Sequence, residues 1–522
     1  MINFVRKFFL LLAAIKQLAG QTLWYGLSNV GAKMLNFALT PLLTFLLADK
    51  QGMVDYGSMS IIFAWIAAAN IIFTYGLETA YFRFSNKNEF TKENIFQTSF
   101  GSIIISTTAL TLLLILLRKP IQSFLELDNH SEYIVWCAWL IALDTLSAIP
   151  FARLRQENKP RKYAFIKLAG IIVNILSIIL FIVILPQWVK EHPAHWFSNW
   201  YNGKSRLGFI LLANLFQNIF VFLMLFPEWK IFRFKMDKAL WKKMVNYSSP
   251  MLIIGLAGMI NEVMDRQFLD KLLPFDNEAN KRIVAIYGAN YKLAIFITLF
   301  IQAFKMAAEP FFFSQAKEKN APALYARVMK WFVITLAVAF LFSALYLDIW
   351  KVIIIRSASY RSGIGVVPIL LMANIFLGIY YNLSVWYKLT DRMRMGIYIT
   401  IVGAVITLVG NYCFIPTWGM YASAWSTFAC YLVMMILAYF MGQKYFPIPY
   451  PVKKILAYLV IMLIFFFVKT GVDALTSSMG DILQLTLRLI TATGLMLLYL
   501  LLILKVERAE LKSMPFIGKY IR

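Results

Sequence analysis

Histidine and cysteine are almost absent from this chain, three of each in 522 residues, and acidic side chains are scarce, with 26 Asp and Glu against 51 Lys and Arg. Cys137, Cys413 and Cys430 all fall within apolar runs, which excludes a disulfide framework and a cysteine metal centre. His130, His192 and His195 fall in predicted loops, and the His192 and His195 pair lacks further ligands at metal spacing, so no metal site is expected. The sequence holds no Walker loop, dinucleotide fingerprint or nucleophile elbow. No catalytic residue and no cofactor are therefore expected, and energy for any transport comes from something other than ATP bound here. Charge of either sign is thin: charged residues make up 15% of the chain against 60% hydrophobic, and the mean hydropathy is +0.68. A soluble domain of this length needs more polar surface than that.

What the chain does have is apolar runs long enough to cross a bilayer, about fourteen of them at the usual requirement of about 20 residues each. Lipid offers backbone groups no water to bond, and the alternation of period two that marks barrel strands is missing, so the spans are read as helices. The expected fold is an all-α membrane protein with about fourteen transmembrane helices. Aromatics near helix ends, such as Trp24, Tyr25, Trp136 and Trp386, are read as an interfacial belt before any sugar-stacking role.

The formal charge of +25 invites a nucleic-acid reading, but its placement argues for topology. When loops are assigned to alternate sides, most of the basic residues fall on one side, in clusters such as Arg153, Arg155, Lys159, Arg161 and Lys162, or Lys230, Arg233, Lys235, Lys238, Lys242 and Lys243. That asymmetry is the positive-inside rule, so both termini and the 229–245 linker are expected to be cytoplasmic, facing anionic lipid headgroups rather than nucleic acid. Residues 1–21 resemble a signal peptide at first, yet Lys16 ends the apolar run early. Phe8, Leu11, Leu12, Ile15 and Leu18 recur at amphipathic spacing, which predicts a cytoplasmic in-plane helix.

A duplication organises the rest. Tyr56 and Gly57 match Tyr287 and Gly288, Glu78 matches Glu309, and Lys159, Arg161 and Gly170 match Arg392, Arg394 and Gly403, all at a spacing of about 230 residues. The expected organisation is a six-helix lobe over 22–228, a basic linker over 229–245 and a second six-helix lobe over 246–442. Two extra helices over 443–505 and a cytoplasmic tail over 506–522 complete it. An even number of helices per repeat gives both lobes the same orientation, with a substrate path between them.

Cations inside the spans are the chemical signal, since each costs roughly 2.5–3.5 kcal/mol at the centre of a membrane helix. Lys33, Lys292, Lys305 and Arg488 lie deep in apolar stretches, whereas Lys167 sits near a helix end, from which it can snorkel, and Arg266 near the outer end of its span. Lys33 has Asn36 one turn on and no acidic residue in its helix, which makes it the first candidate for an anion contact. Gln302, Lys305 and Glu309 share a face, and the Lys305–Glu309 spacing also fits a structural ion pair. Lys292 projects roughly 140° away from Lys305 on an ideal helix. Asn261, Glu262, Asp265 and Arg266 form a polar patch that must face protein or water. The substrate-facing set is therefore Lys33, Asn36, Arg266, Lys292, Lys305, Asn290 and Gln302, and Glu78, Asp144, Glu262, Asp265 and Glu309 are candidates for H+ or Na+ coupling or for structural pairs.

Five segments carry a family resemblance: YGLSNVGAKMLNFALTPLLT from Tyr25, YGLETAYFRF from Tyr75, IPFARLRQENKPRKYA from Ile149, YGANYKLAIFITLFIQAFKMAAEPFFF from Tyr287 and GIYYNLSVWYKLTDR from Gly378. Over nearly its whole length the chain resembles bacterial polysaccharide transporters, the O-antigen and lipid-linked oligosaccharide flippases of the superfamily that includes MATE-type extruders. The resemblance implies a V-shaped pair of six-helix bundles, a cationic central cavity and rocking between inward-open and outward-open states in the bacterial inner membrane. It also implies lipopolysaccharide or related surface-polysaccharide biosynthesis, a polyprenyl-diphosphate-linked oligosaccharide as substrate, and a polysaccharide polymerase or glycosyltransferases as partners. The alternatives are a MATE-type drug or cation antiporter, disfavoured because the first span has no acidic residue between Tyr25 and Leu47, and a non-transporting scaffold, which leaves the cations without a role.

Overall fold

The structure is a computed structural model that describes residues 31, 34–35, 37–85, 89–127, 130–157, 159–315, 318, 320–390 and 392–513, without the side chains of 306, 307, 309, 310, 313 and 314. The expected N-terminal amphipathic helix, most of the first span including Lys33 and Asn36, and the end of the tail lie outside those residues. Among the described residues the chain is helical throughout, with no strand. The long helices are α1 (Lys50–Thr74), α2 (Lys92–Leu116), α3 (Ser131–Gln156), α4 (Pro160–Ile179), α5 (Arg206–Met224), α6 (Lys238–Leu272), α7 (Asn277–Gln315), α8 (Ala321–Leu345), α9 (Val366–Leu383), α10 (Met393–Trp418), α11 (Met420–Tyr445), α12 (Val452–Leu475) and α13 (Asp481–Val506).

Twelve of these are long and apolar enough to span a membrane. The thirteenth, α6, contains the expected span at 246–270, but its apolar stretch is interrupted by Asn261, Glu262, Asp265, Arg266 and Asp270. Of the first expected span, the described part includes the short apolar helix Phe37–Leu46. The count of about fourteen is thus approached without being fixed by helix length alone.

Helix ends follow local chemistry. The Asp49 side chain caps α1 by accepting from the Gly52 amide, Thr91 caps α2 through the Asn94 amide, and Asp237 caps α6 through the Ala239 and Leu240 amides. Each cap satisfies one or two of the amides that a helix start leaves open. The apolar run that includes α1 is broken: Tyr75 and Gly76 adopt φ of 35° and 70°, ending α1 before a short helix, Leu77–Ser85. Glycine takes that left-handed conformation without steric cost. After α4 the helix widens into a π turn at Leu180–Ile184, just before Pro186, and resumes at Leu185–Glu191.

Two compact units emerge, each discontinuous in sequence: residues 1–288 with 394–426, and residues 289–393 with 427–522. In the first unit α5 packs on α3 and α4, α2 on α3, and α6 on α1. In the second, α8 packs against α9, α12 and α13. The last two helices are shallow additions, with 22% and 17% of their apolar windows buried against 72% for α8. Trp386, expected in the interfacial belt, is instead buried, and its indole donates to the Ala438 carbonyl at 3.1 Å. A ring that finds a backbone acceptor inside the protein has no need of the interface.

The two Tyr-Gly dipeptides matched by the duplication meet at one helix crossing in the first unit. A Cβ on Gly57 would lie 2.0 Å from the Lys281 carbonyl oxygen, and one on Gly288 would lie 3.0 Å from Ser60 Oγ and 3.9 Å from the Tyr56 ring. Tyr56 and Tyr287 are both buried beside it. The absent side chains let α1 and α7 approach at backbone distance. Gly57→Ala is therefore expected to cost about 1–3 kcal/mol through forced overpacking. Thermal unfolding of the purified protein checks this, with Gly258→Ala, which meets nothing within 4 Å, as the variant expected to hold its melting temperature.

Candidate functional site: the intramembrane cations

The cations of the spans differ in what meets each one. In the first unit, Arg266 Nη1 lies 3.0 Å from the Asp265 carboxylate and donates to the Glu262 carbonyl at 3.1 Å. The other Asp265 oxygen accepts from the Tyr287 hydroxyl at 2.6 Å. Asp265 is buried, and its charge is balanced by a guanidinium and a phenol. Asn261 is buried too, bonded to the Thr400 carbonyl and the Thr407 hydroxyl of α10. Gln267 accepts from the Trp65 indole of α1 at 2.7 Å. The polar patch of α6 thus faces protein on these sides, with Glu262 exposed.

Two further candidate acids of this unit are engaged as well. Glu78 is ion-paired with Arg155 of α3, and Asp144 accepts from the Asn70 amide at 3.0 Å. Lys167 lies 4.3 Å from the centre of the Phe151 ring, so its ammonium rests on an aromatic face. Lys281 is almost fully buried and donates to the Glu126 carbonyl at 2.8 Å.

In the second unit, Asn290 departs from its expected role. It is fully buried, and its amide donates to the Tyr360 carbonyl at 2.7 Å, bracing the 3-10 segment Ala358–Gly363. In this conformation it has no surface to offer a sugar. Lys292, Gln302 and Lys305 are half-buried on α7, and the Lys305 ammonium sits 3.9 Å from the centre of the Tyr381 ring. Glu309 is helical, but its side chain is outside the description, as are Lys33 and Asn36 altogether.

Arg488 corrects the sequence reading most clearly. It was expected to be stranded in an apolar helix, yet it is ion-paired with Asp473 at 3.3 Å and Asp348 at 3.7 Å and donates to the Asp473 carbonyl. Lys469, which the sequence reading missed, is buried in the same cluster, 2.5 Å from Asp473 and 3.3 Å from Asp348. A second missed cation, Lys330 of α8, is buried between Glu507 at 2.6 Å and Glu510 at 2.7 Å, with Lys454 also on Glu507 at 2.8 Å. The Lys469–Asp473 spacing of i, i+4 was a signal in the sequence. The partners of Lys330 lie far along the chain and gave none. Both clusters join α8 or the turn after it, Leu347–Ile354, to α12 and α13. They hold the two shallow helices where apolar burial is slight.

Burial pushes the Glu507 carboxyl up, but Lys330, Lys454 and Tyr458 outweigh it and hold the group below the ordinary carboxylate range. Glu510 is also lowered, by Lys330 and Trp331 against its own burial, and Asp348 by Lys351, Lys469 and Arg488 against its burial. Carboxyls depressed in the folded state contribute stability that is present above their unfolded pKa and disappears as pH falls through the folded value. The melting temperature is therefore expected to hold between pH 7 and about 5 and to fall below about 4, where ordinary carboxyls protonate. Lys330→Ala is expected to cost about 3 kcal/mol at neutral pH, since it strips a partner from buried charge. A pH series of unfolding curves on the two proteins checks both statements.

Among the described residues the architecture is that of a polytopic all-α membrane protein, with twelve helices long and apolar enough to span a bilayer. Residues 18–316, more than half of the chain, match the family described as Polysaccharide biosynthesis protein, and the chain belongs to that family. No curated protein matches it in sequence. Among solved structures it is similar to the lipid II flippase MurJ in an inward closed conformation, with a TM-score of 0.67 and 14% identity over 92% of this chain and 98% of that one. It is also similar to a MATE family multidrug resistance transporter of the MOP superfamily. In the outward-facing conformation the TM-score is 0.57 at 14% identity, covering 82% of this chain and 95% of that one. In the inward-facing conformation it is 0.53 at 12% identity, covering 81% and 94%. At these identities the likeness is one of fold.

Proposed function

We propose that this protein is a flippase that carries a polyprenyl-diphosphate-linked oligosaccharide from the cytoplasmic to the outer leaflet of the bacterial inner membrane. Its part would be in the synthesis of a cell-surface polysaccharide such as O-antigen. The single observation that carries the reading is the placement of Lys292, Gln302 and Lys305 half-buried on one long helix, α7, with the Lys305 ammonium 3.9 Å from the centre of the Tyr381 ring. Membership of the Polysaccharide biosynthesis protein family supports it.

The physical task is to take a diphosphate and a set of sugar hydroxyls through hydrocarbon, where neither finds compensation. Lys292 and Lys305 supply positive charge, Lys33 adds a third cation, and Gln302 and Asn36 supply hydrogen bonds. The prenyl tail stays in lipid throughout. Alternating access exposes the head group first to one side and then to the other, with no covalent step. The basic side of the chain, with both termini, is assigned to the cytoplasm. A proton or sodium ion is the natural coupling ion, with Glu262 the exposed acidic residue on α6.

The second reading, a MATE-type cation antiporter, draws on the shared fold. It needs an acidic residue ready to exchange ions: Glu78, Asp144 and Asp265 are each occupied by an Arg, an amide or an Arg with a Tyr, which leaves Glu262 as its candidate. In a strain that lacks this gene, Lys33→Ala and Lys305→Ala are expected to abolish surface glycan and to accumulate its lipid-linked precursor, with protein levels in the membrane unchanged. Lys305→Arg, which keeps the charge, is expected to retain part of the export. Normal glycan display by both Ala variants, or resistance to organic-cation dyes conferred by the wild-type chain in a pump-deficient strain, rejects the flippase reading in favour of the antiporter.

A further inference from the structure

A cavity of about 740 Å³ opens in the first unit, outside the set of residues proposed for transport. Its walls come from the start of α2, the end of α3 and the basic linker after α5, and Tyr81 lies at its base. The linker wall is braced: Gln97, itself buried, donates to the Ile231 carbonyl at 3.1 Å and accepts from the Arg233 amide at 2.7 Å. This clamp presents Lys230 and Arg233 at the cavity rim.

The charge of the walls is unbalanced. Arg153 and Glu157 neutralise one another at 2.5 Å, and Glu157 is also held by Lys159 at 2.6 Å. Lys92, Lys230 and Arg233 have no carboxylate partner among the described residues, and Glu93 in the first turn of α2 is the remaining acidic group. On the inner wall, Gln156 accepts from the Tyr81 hydroxyl at 2.7 Å, which leaves its Nε2 buried with no hydrogen-bond partner among the described residues. A buried donor without an acceptor is costly, and an anion oxygen, brought by the basic walls, is one group that satisfies it.

The surroundings say what kind of anion. Phe226, Ile231, Phe234 and Trp241 are exposed along the same linker, alternating with Lys230, Arg233 and Lys235. Exposed apolar rings and basic side chains on one segment are suited to the headgroup layer of a membrane, with rings toward the acyl chains and cations toward phosphate. We infer that this cavity is a binding site for the phosphate headgroup of an anionic phospholipid from the leaflet on the basic side of the protein. Lys92, Lys230 and Arg233 meet the phosphate, Gln156 Nε2 donates to it, and the acyl chains lie along Ile231 and Phe234.

The site is tested on the full-length protein in detergent by titrating short-chain phosphatidylglycerol, short-chain phosphatidylcholine and glycerol phosphate, and following tryptophan fluorescence and the melting temperature. Phosphatidylglycerol is expected to bind about tenfold or more tightly than phosphatidylcholine, and Lys230→Ala with Arg233→Ala is expected to weaken it by about tenfold or more. Lys235→Ala with Lys242→Ala removes the same charge from the same region without touching the cavity, and is expected to leave binding within about twofold of wild type. Lys92→Ala, on a different wall, gives the same test if the linker variant cannot be purified. Equal affinity for the two lipids, or equal loss in the Lys235/Lys242 variant, overturns the site in favour of a diffuse basic face. Glycerol phosphate binding as tightly as phosphatidylglycerol overturns the lipid assignment in favour of a soluble phosphate.

Discussion

A positive charge held in hydrocarbon must be met by something, and the partner each cation of this chain finds decides both how the helices are joined and which side chains remain for a ligand. Desolvation makes an unmet ammonium intolerable, so a buried lysine forces a partner into place. Where the partner is a carboxylate on another helix, the cation becomes a joint. Lys330 and Lys469 are joints of this kind, one towards each end of the α12–α13 pair. Those helices bury little apolar surface, and in lipid apolar surface gives no driving force between helices in any case. Ion pairs and hydrogen bonds are what remain to hold them.

The same principle separates the cations of α7. Lys281, near its start, is closed off by the Glu126 carbonyl. Lys305, about seven turns further on, has its ammonium 3.9 Å from the centre of the Tyr381 ring, and an aromatic face attracts a cation. One 39-residue helix thus carries a lysine closed off by a carbonyl and a lysine on an aromatic face, and its backbone passes from one compact unit to the other at residues 288 and 289.

Much of this was legible in the sequence. The apolar runs gave the helices because nothing else satisfies a backbone in lipid, and the repeated Tyr-Gly pairs flagged positions that turn out to share one close crossing. The family was legible through its longer segments. What could not be read was partnership across distance. Arg488 looked stranded because its own helix offers no acid nearby, while Asp348 is over a hundred residues upstream. Asn290 looked like a sugar contact because composition cannot tell an amide that faces a cavity from one that ties down a backbone carbonyl. Trp386 looked interfacial for the same reason, since its acceptor at Ala438 comes from another helix. Hydropathy also understated α6, whose polar residues are those that bond α1, α7 and α10.

Fold alone does not choose between a lipid-linked sugar and a cationic drug, because the flippase and the extruder share one architecture. The choice rests on the side chains assigned to meet the cargo. A carboxylate that couples ion exchange to transport has to gain and lose a proton or a sodium ion with little cost. Asp265 is engaged by Arg266 and Tyr287, and Glu78 by Arg155, whereas Glu262 is exposed on α6. On the proposed function, the diphosphate is the part of the lipid-linked sugar that brings negative charge, and the half-buried Lys292 and Lys305 of α7 are the cations assigned to meet it.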